Sequence, residues 1–328
     1  MLFNSFAFLI FFPIVTVIYF LLPHRFRWIH LLAASCVFYC FFIPIYLLIL
    51  LVTILVDYVA AIYIERTTGA AKKRWLIFSI IITCMILAVF KYFNFFNESF
   101  SAIATFFNLH YPIEALDIIL PIGLSFHTFQ SLSYVIEVYR GKQKAEKHFG
   151  IYSLYVMFYP QLVAGPIERP QNILHQFYEK HNFNLSDVIT GLKMVVIADR
   201  LAIYVNAVYA KHDYHSGTTL LLATIFFAFQ IYCDFSGYSN IAIGTARVMG
   251  FKLMTNFNRP YFAKSISEFW KRWHISLSTW FRDYLYIPMG GSKFSKPRTY
   301  FNLMCTFTLS GLWHGASWTY ICWGAVNG

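Results

Sequence analysis

Long apolar segments, separated by short loops that carry basic residues, run through the whole sequence. A transmembrane helix needs about 20 consecutive, mainly apolar residues, and several segments reach or exceed that length. We expect helices in the segments 6–22, 29–63, 75–96, 118–138, 150–164, 187–210, 218–250 and 301–324. The pattern predicts an all-α, polytopic integral membrane protein.

Segment 29–63 is too long for one span, and it contains Pro44, a residue that interrupts helices. Basic loops flank this segment at 23–28 and 64–74, and a single crossing would put them on opposite sides of the membrane. Two helices that break near Pro44 put both loops on the cytoplasmic side, as the positive-inside rule requires. We therefore predict two short helices, which could form a hairpin that does not fully cross.

Composition agrees with a membrane protein. Hydrophobic residues make up 58% of the 328 residues and charged residues only 12%. A soluble domain carries about twice that charged fraction, and a disordered chain is far less hydrophobic, so both classes are excluded. We expect one membrane domain over 1–328.

The charge is strongly positive, with 26 Lys and Arg against 15 Asp and Glu, a net +11. Most basic residues lie in the short loops, as topology demands, and we predict no nucleic-acid partner. Residues 252–298 carry more positive charge than topology requires, because this range contains nine basic and two acidic residues, a net +7. Anionic lipid headgroups would account for much of this cluster, and a phosphate-rich cytosolic ligand is the alternative.

Part of that cluster lies on segment 264–286, where aromatic and aliphatic residues recur with helical spacing. We predict one amphipathic helix in the membrane interface, with Trp and Tyr at headgroup depth. His274 falls at the edge of its apolar stripe, either as an ordinary interfacial residue or facing a pocket.

Two histidines lie deep in apolar segments, where ionisable groups are functional candidates. If 301–324 is one helix, Ser310, Gly311, Ser317 and Trp318 share a small, polar face with His314. Gly311 and Gly315 form a GxxxG pair, which lets another backbone approach closely. We expect His314 to face the bundle interior or a water-filled cavity, and function and a structural hydrogen bond weigh equally there. For His127 we favour an interhelical polar contact.

A third polar region, 232–240, interrupts a long apolar segment and contains Asp234. Irregular backbone at membrane depth is tolerated where it lines a cavity or is buried in protein, so this region is a candidate cavity wall, with helix packing as an equal alternative. Asp199 and Arg200 interrupt another apolar segment. The six cysteines form no CxxC and show no zinc spacing with histidine, so we predict no metal site.

Five motifs then occur in order along the chain. They are PIGLSFHTFQSLSYVIEVYRG (121–141), YPQLVAGPIERP (159–170), QIYCDFSGYSNIAIGTARVMGF (230–251), EFWKRWHISLSTWFRDYLYIPMGG (268–291) and SGLWHGASWTYICWG (310–324). With these motifs the chain resembles the membrane-bound O-acyltransferase superfamily, in its alginate O-acetylation branch.

The resemblance implies a helical membrane fold with short, broken or re-entrant helices and interfacial amphipathic helices. It implies acyl transfer from a cytoplasmic thioester, acetyl-CoA or a relative, to an extracytoplasmic partner that completes polysaccharide O-acetylation. The WHG histidine of the family matches His314, and its second histidine matches His274. Family members continue past the WHG motif, so we expect this domain to lack its C-terminal helices.

A mechanism follows from these residue types. A neutral imidazole at His314 would take the proton of an acceptor hydroxyl, and His274 would position the donor or stabilise the oxyanion. Lys271, Arg272 and Arg282 would attract the donor phosphates. D-alanyl transfer to a cell-wall polymer and a polysaccharide transporter without chemistry are the alternatives, and a multi-pass protein of the inner membrane is the expected location.

Overall fold

The computed structural model describes residues 1, 3, 5–163, 165–181, 207–208 and 216–328. Throughout these ranges the regular elements are helices, which confirms the predicted all-α class. The helices belong to two compact units. The first combines Met1–Leu47 with His148–Ser276, and the second combines Leu48–Lys147 with Leu277–Gly328. The single domain expected over 1–328 stays a prediction.

The first unit is built from short helices and one long one. Its helices are α1 (Phe6–Leu21), α2 (His24–Cys40), α7 (Phe149–Met157), α8 (Tyr159–Leu162), α9 (Pro170–Ile173), α10 (Gly217–Val248) and α11 (Ile266–Arg272). Helix α2 packs against α1, α7 and α8, and α10 also contacts α8. Aromatic side chains fill the interior, where the ring of Tyr159 contacts those of Phe11 and Phe38.

The second unit contains the other long helices. They are α3 (Tyr46–Arg66), α4 (Gly69–Leu87), α5 (Phe93–Phe106), α6 (Leu124–Tyr139), α13 (Lys296–His314) and α14 (Trp318–Asn327). A π-helical turn, Ala88–Tyr92, joins α4 to α5 without a break. Helix α4 packs against α6, and α13 packs against α14. The short helix α12 (Ile275–Phe281) begins at the end of the first unit and continues into the second.

Helices long and apolar enough to cross a membrane are present in both units. They are Tyr46–Arg66, Gly69–Phe106 and Gly217–Val248. Many large apolar side chains on these helices are exposed, including Leu55, Ile81 and Leu221, as expected of surfaces that face lipid rather than water. By their length and composition, these helices indicate a multi-pass membrane protein.

The break predicted near Pro44 is confirmed, because α2 ends at Cys40 and α3 begins at Tyr46. Two other predictions of local structure are wrong. Residues 232–240 do not interrupt a helix, since they lie inside the continuous helix α10, and the proposed irregular cavity wall is therefore absent at that place. Polar residues there are compatible with helix because helical backbone satisfies its own hydrogen bonds even at membrane depth.

Segment 264–286 is also not a single amphipathic helix. It divides into α11, the short helix α12 and a π-helical turn, Arg282–Tyr286, with a break at His274. A hydrophobic periodicity cannot reveal this break, because it assumes that the same rotation per residue continues through it. The predicted segment 187–210, with Asp199 and Arg200, lies outside the described residues except for 207–208.

Candidate active site

His314 is the last residue of α13. The helix ends there because Gly315 follows as its C-cap, and Ser317 takes the N-cap position of α14; both residue types favour caps over helix interiors. The imidazole ring contacts the rings of Trp313 and Trp323, with centroids 5.0 and 5.4 Å away. The prediction that 301–324 forms one helix is therefore wrong, and Ser317 does not extend the face that carries His314.

The side chain of His314 is exposed in the described part of the chain, so its predicted place in the bundle interior is not confirmed, and the alternative, a water-filled cavity, stays a prediction. Trp313 is buried instead, at 7% exposure. Consecutive helical residues point about 100° apart, so the burial of Trp313 turns its neighbour outward.

The close helix approach predicted from glycine is found at Gly311. A side chain there would place its Cβ 2.2 Å from the carbonyl oxygen of Tyr320 and 2.9 Å from Cα of Gly324. The backbones of α13 and α14 therefore meet through two glycines. This contact holds α14, and with it Trp323, beside His314.

Trp313 anchors the end of α13 in an aromatic cluster. Its ring stacks on Phe129 of α6, with centroids 5.2 Å apart, and meets Phe126 edge-on. The ring of Trp280 stacks on the same Phe129 at 3.9 Å. The indole Nε1 of Trp280 donates to the carbonyl of Phe129 at 3.0 Å and to Oγ of Ser133 at 2.8 Å. The stacked rings of Trp313, Phe129 and Trp280, with the Trp280 indole hydrogen-bonded, support the helix end that carries His314.

Two residues of the π-helical turn bond to the last carbonyls of α13. The ammonium group of Lys91 donates to the carbonyl of Trp313 and, over 3.2 Å, to Oγ of Ser125. The hydroxyl of Tyr92 donates to the carbonyl of Leu312 at 3.1 Å. The last carbonyls of a helix lack intrahelical partners, and cations are favourable beside them. The π-helical turn thus stabilises the helix end that carries His314.

The sequence pattern did not single out Lys91 as a functional candidate, and Asp57 of α3 was missed in the same way. Asp57 is fully buried and accepts hydrogen bonds from the hydroxyls of Ser79, Thr83 and Ser131. The signal was present, since each is a charged residue inside an apolar segment. For His127 the favoured polar contact is found, with Oγ1 of Thr53 at 3.2 Å from Nε2.

His274 lies in the first unit, between α11 and α12. Its backbone has a φ of +43°, in the left-handed region that residues with a side chain seldom adopt. The side chain is 2% exposed. Its ring meets Phe235 edge-on at 4.7 Å and lies parallel to Phe257 at 6.3 Å. The predicted place at the edge of an interfacial stripe is therefore wrong, because the chain turns at this residue and directs it into the unit.

Lys271 and Arg272 end α11, just before His274. Lys271 is exposed, whereas Arg272 donates to a carboxylate oxygen of Glu268 at 2.6 Å. The N–H of Lys264 and then the guanidinium of Arg272 hold the pKa of Glu268 below its usual value. Glu268 thus partly compensates the charge of Arg272, whereas the charged side chain of Lys271 is exposed.

Arg282 belongs to the second unit and is exposed. Its Nε donates to the carboxylate of Asp283 at 2.8 Å. The structure therefore brings Lys271 and Arg272 near His274 within the first unit, and it places Arg282 and His314 in the second. The roles assigned to these five residues stay predictions. In the part of the chain that the structure describes, His, Cys, Asp and Glu residues form no group suited to a metal ion.

Comparisons with known proteins agree with the motifs. Residues 148–328 match the membrane-bound O-acyltransferase family. This range contains both histidines and the whole basic cluster.

Three relatives of this chain have names that describe different transfer reactions. It is 42% identical to the probable alginate O-acetylase AlgI of Azotobacter vinelandii, over 100% of the chain and 67% of that protein. It is 36% identical to the peptidoglycan O-acetyltransferase of Helicobacter pylori, over 91% of the chain and 62% of that protein. It is 29% identical to the teichoic acid D-alanyltransferase of Bacillus subtilis, over 66% and 59% respectively.

The chain spans about two thirds of the length of the alginate-type relatives. Full coverage of the chain at this identity, together with the family match that includes both histidine motifs, settles its relationship: the protein belongs to the membrane-bound O-acyltransferase family.

Proposed function

We propose that this protein is a membrane O-acetyltransferase that moves an acetyl group from a cytoplasmic thioester towards an extracytoplasmic polysaccharide. The observation that carries the proposal is the similarity of this whole chain to about two thirds of the alginate O-acetylases, with His314 and His274 in the motifs that carry the family resemblance. Acetyl-CoA is the donor, and an alginate-type polymer is the acceptor. An extracytoplasmic acetyltransferase receives the group, and the protein lies in the inner membrane among its lipids.

The chemistry is a transfer between a thioester and an oxygen nucleophile. The imidazole of His314 takes the proton of the acceptor hydroxyl while the hydroxyl oxygen attacks the thioester carbonyl. A new C–O bond forms, the C–S bond breaks, and the proton passes to the departing thiolate, so coenzyme A leaves as a thiol. The position of His314 in the WHG motif at the end of α13, beside the rings of Trp313 and Trp323, supports this role.

His274 acts on the donor side in this proposal. Its buried imidazole donates a hydrogen bond to the thioester oxygen as negative charge develops there. Lys271, with Arg272 and Arg282, attracts the phosphates of the donor at the cytoplasmic face. The exposed ammonium group of Lys271 supports this assignment.

D-alanyl transfer is the second candidate. It is supported by the teichoic acid D-alanyltransferases, but at 29% identity and over 66% of the chain. The O-acetyl-transferring relatives match at 42% and 36%, over more of the chain. Acetyl transfer is therefore favoured, and membership of an acyltransferase family disfavours a transporter without chemistry.

The test is transfer of radiolabelled acetyl from acetyl-CoA to polymer in membranes that contain the full-length protein. We expect label in polymer with the wild type and none with His314→Ala or His314→Gln, because a general base contributes about 10²- to 10⁴-fold. Gln keeps some hydrogen bonding but cannot accept the proton. Label from a D-alanyl carrier protein instead of acetyl-CoA would support the second candidate.

A further inference from the structure

The strained backbone of His274 needs support from its surroundings. A non-glycine residue in the left-handed region stores conformational energy, and it persists only where neighbouring contacts hold it. His274 adopts this conformation, with a φ of +43°, at the junction between α11 and α12. Residues on both sides of it are fixed by a single segment of chain, 254–258.

The backbone of this segment bonds to both sides of His274. The N–H of Asn258 donates to the carbonyl of Arg272 at 2.9 Å, two residues before the histidine. The N–H of Ile275, directly after it, donates to the carbonyl of Asn256 at 2.9 Å. Asn258 thus holds the backbone shortly before His274, and Asn256 holds the backbone directly after it.

The side chain of Asn256 adds two further bonds on the same side. Its Oδ1 accepts from the N–H of Ser276 at 3.2 Å and from the hydroxyl of Ser276 at 2.9 Å. Asn256 is fully buried, so water cannot replace these bonds if the side chain is changed. One amide oxygen therefore binds both the backbone N–H and the hydroxyl of Ser276, just after His274.

Segment 254–258 is itself anchored to the rest of the first unit. The N–H of Met254 donates to the carboxylate of Glu168. The side chain of Gln176 bonds both backbone groups of Lys252, at 2.7 Å to its N–H and 2.9 Å to its carbonyl. The buried side chains of Glu168 and Gln176 thus fix the chain at the start of this segment, and a fixed segment can hold the histidine in one position.

We propose that Asn256 is a positioning residue that holds His274 in its buried, left-handed conformation for acyl transfer. This inference rests on the proposed function for its effect on the reaction, whereas its effect on His274 can be measured without activity. Asn256 acts through the backbone of residues 275 and 276.

The first test measures the accessibility of the His274 ring. The full-length protein, purified in detergent, is treated with diethylpyrocarbonate, and carbethoxylation of each histidine is followed by peptide mass spectrometry. We expect Asn256→Leu, which removes the acceptor at similar volume, to raise the labelling rate of His274 at least about tenfold. His127, which is 1% exposed in the second unit, is the internal control and should stay slow.

A conservative variant and a matched control complete the test. Asn256→Asp keeps an oxygen acceptor for Ser276 and should label like the wild type. Asn258→Leu changes the same residue type two positions away. The Asn258 side chain is exposed, and this residue bonds to Arg272 through its backbone N–H, so the labelling rate of His274 should not change. If Asn256→Leu does not accumulate, Asn256→Ala takes its place.

Unchanged labelling of His274 in Asn256→Leu would overturn the proposal. Equal acceleration at His127 and His274 would also overturn it, because Asn256 would then hold only the fold. Acetyl transfer is measured in parallel, and we expect kcat to fall about 10- to 100-fold through misplacement of His274. Inactive wild type would count against the proposed function, whereas an active Asn256→Leu would count against the inference alone.

Discussion

Lys91 donates a hydrogen bond from its ammonium group to the backbone carbonyl of Trp313, the residue that precedes His314. Lys91 lies in the π-helical turn between α4 and α5. Such turns are rare and frequently occur at functional sites. The extra residue that a π-helical turn inserts changes the direction in which Lys91 and Tyr92 point, so that both reach the end of α13.

Removal of the Lys91 charge should therefore weaken acetyl transfer through His314. We expect Lys91→Met to lower kcat about tenfold or more in the full-length protein, because the end of α13 is no longer held in one position. Lys91→Arg keeps a cationic donor and should retain most of the activity. Lys73→Met, at an exposed position on α4, is the control, and equal losses in Lys73→Met and Lys91→Met would contradict this role.

The basic end of α11 should affect donor binding rather than the chemical step. We expect Lys271→Gln to raise the KM for acetyl-CoA, and to make it less salt-sensitive, because long-range attraction to phosphates is screened by salt. Arg272→Gln should have the smaller effect on its own, since Glu268 already pairs with that guanidinium. Unchanged donor kinetics with loss of membrane retention would instead indicate that these residues bind lipid headgroups.

Stability should depend on pH through Glu168, in the loop between α8 and α9. Burial raises the pKa of Glu168 from its ordinary value of 4.5 to about 7. The folded protein therefore binds the proton more tightly than the unfolded chain, so stability falls as pH rises from about 4.5 through 7. Each pH unit in that window costs up to about 1.4 kcal/mol, and the full cost is present above pH 7.

We expect Glu168→Gln to flatten this dependence, measured as the thermal unfolding midpoint in detergent between pH 5 and 8. Glu179→Gln, which removes an exposed carboxylate from the same unit, is the matched control. A slope that is the same in wild type and Glu168→Gln would show that another group is responsible.

The contact between α13 and α14 should tolerate no side chain at Gly311. An alanine Cβ there would lie 2.2 Å from the carbonyl oxygen of Tyr320, and backbone atoms cannot move aside cheaply. We expect Gly311→Ala to cost about 1–3 kcal/mol, seen as a lower unfolding midpoint. Gly217→Ala, where no atom lies within 4 Å of the added Cβ, should be neutral, and a neutral Gly311→Ala would show that the two helices separate easily.

Much of the architecture could be predicted because it depends on local composition. Apolar length determines where helices lie in a membrane protein, and the break at Pro44 follows from the geometry of proline. The glycine at 311 was identified as a close-contact position from spacing alone. Local motifs likewise carried the family resemblance, so the sequence by itself was enough to single out His274 and His314.

The tertiary structure alone decided how those histidines are held. His274 adopts a left-handed conformation because residues 254–258 bond to its neighbours, and a hydrophobic periodicity contains no record of bonds between distant segments. Lys91 and His314 are 223 positions apart in the sequence, and only packing of the π-helical turn against the end of α13 brings them into one site. The hydrophobic pattern depends on residues that are close in sequence, whereas the polar contacts that orient these side chains form between distant segments that meet only after folding.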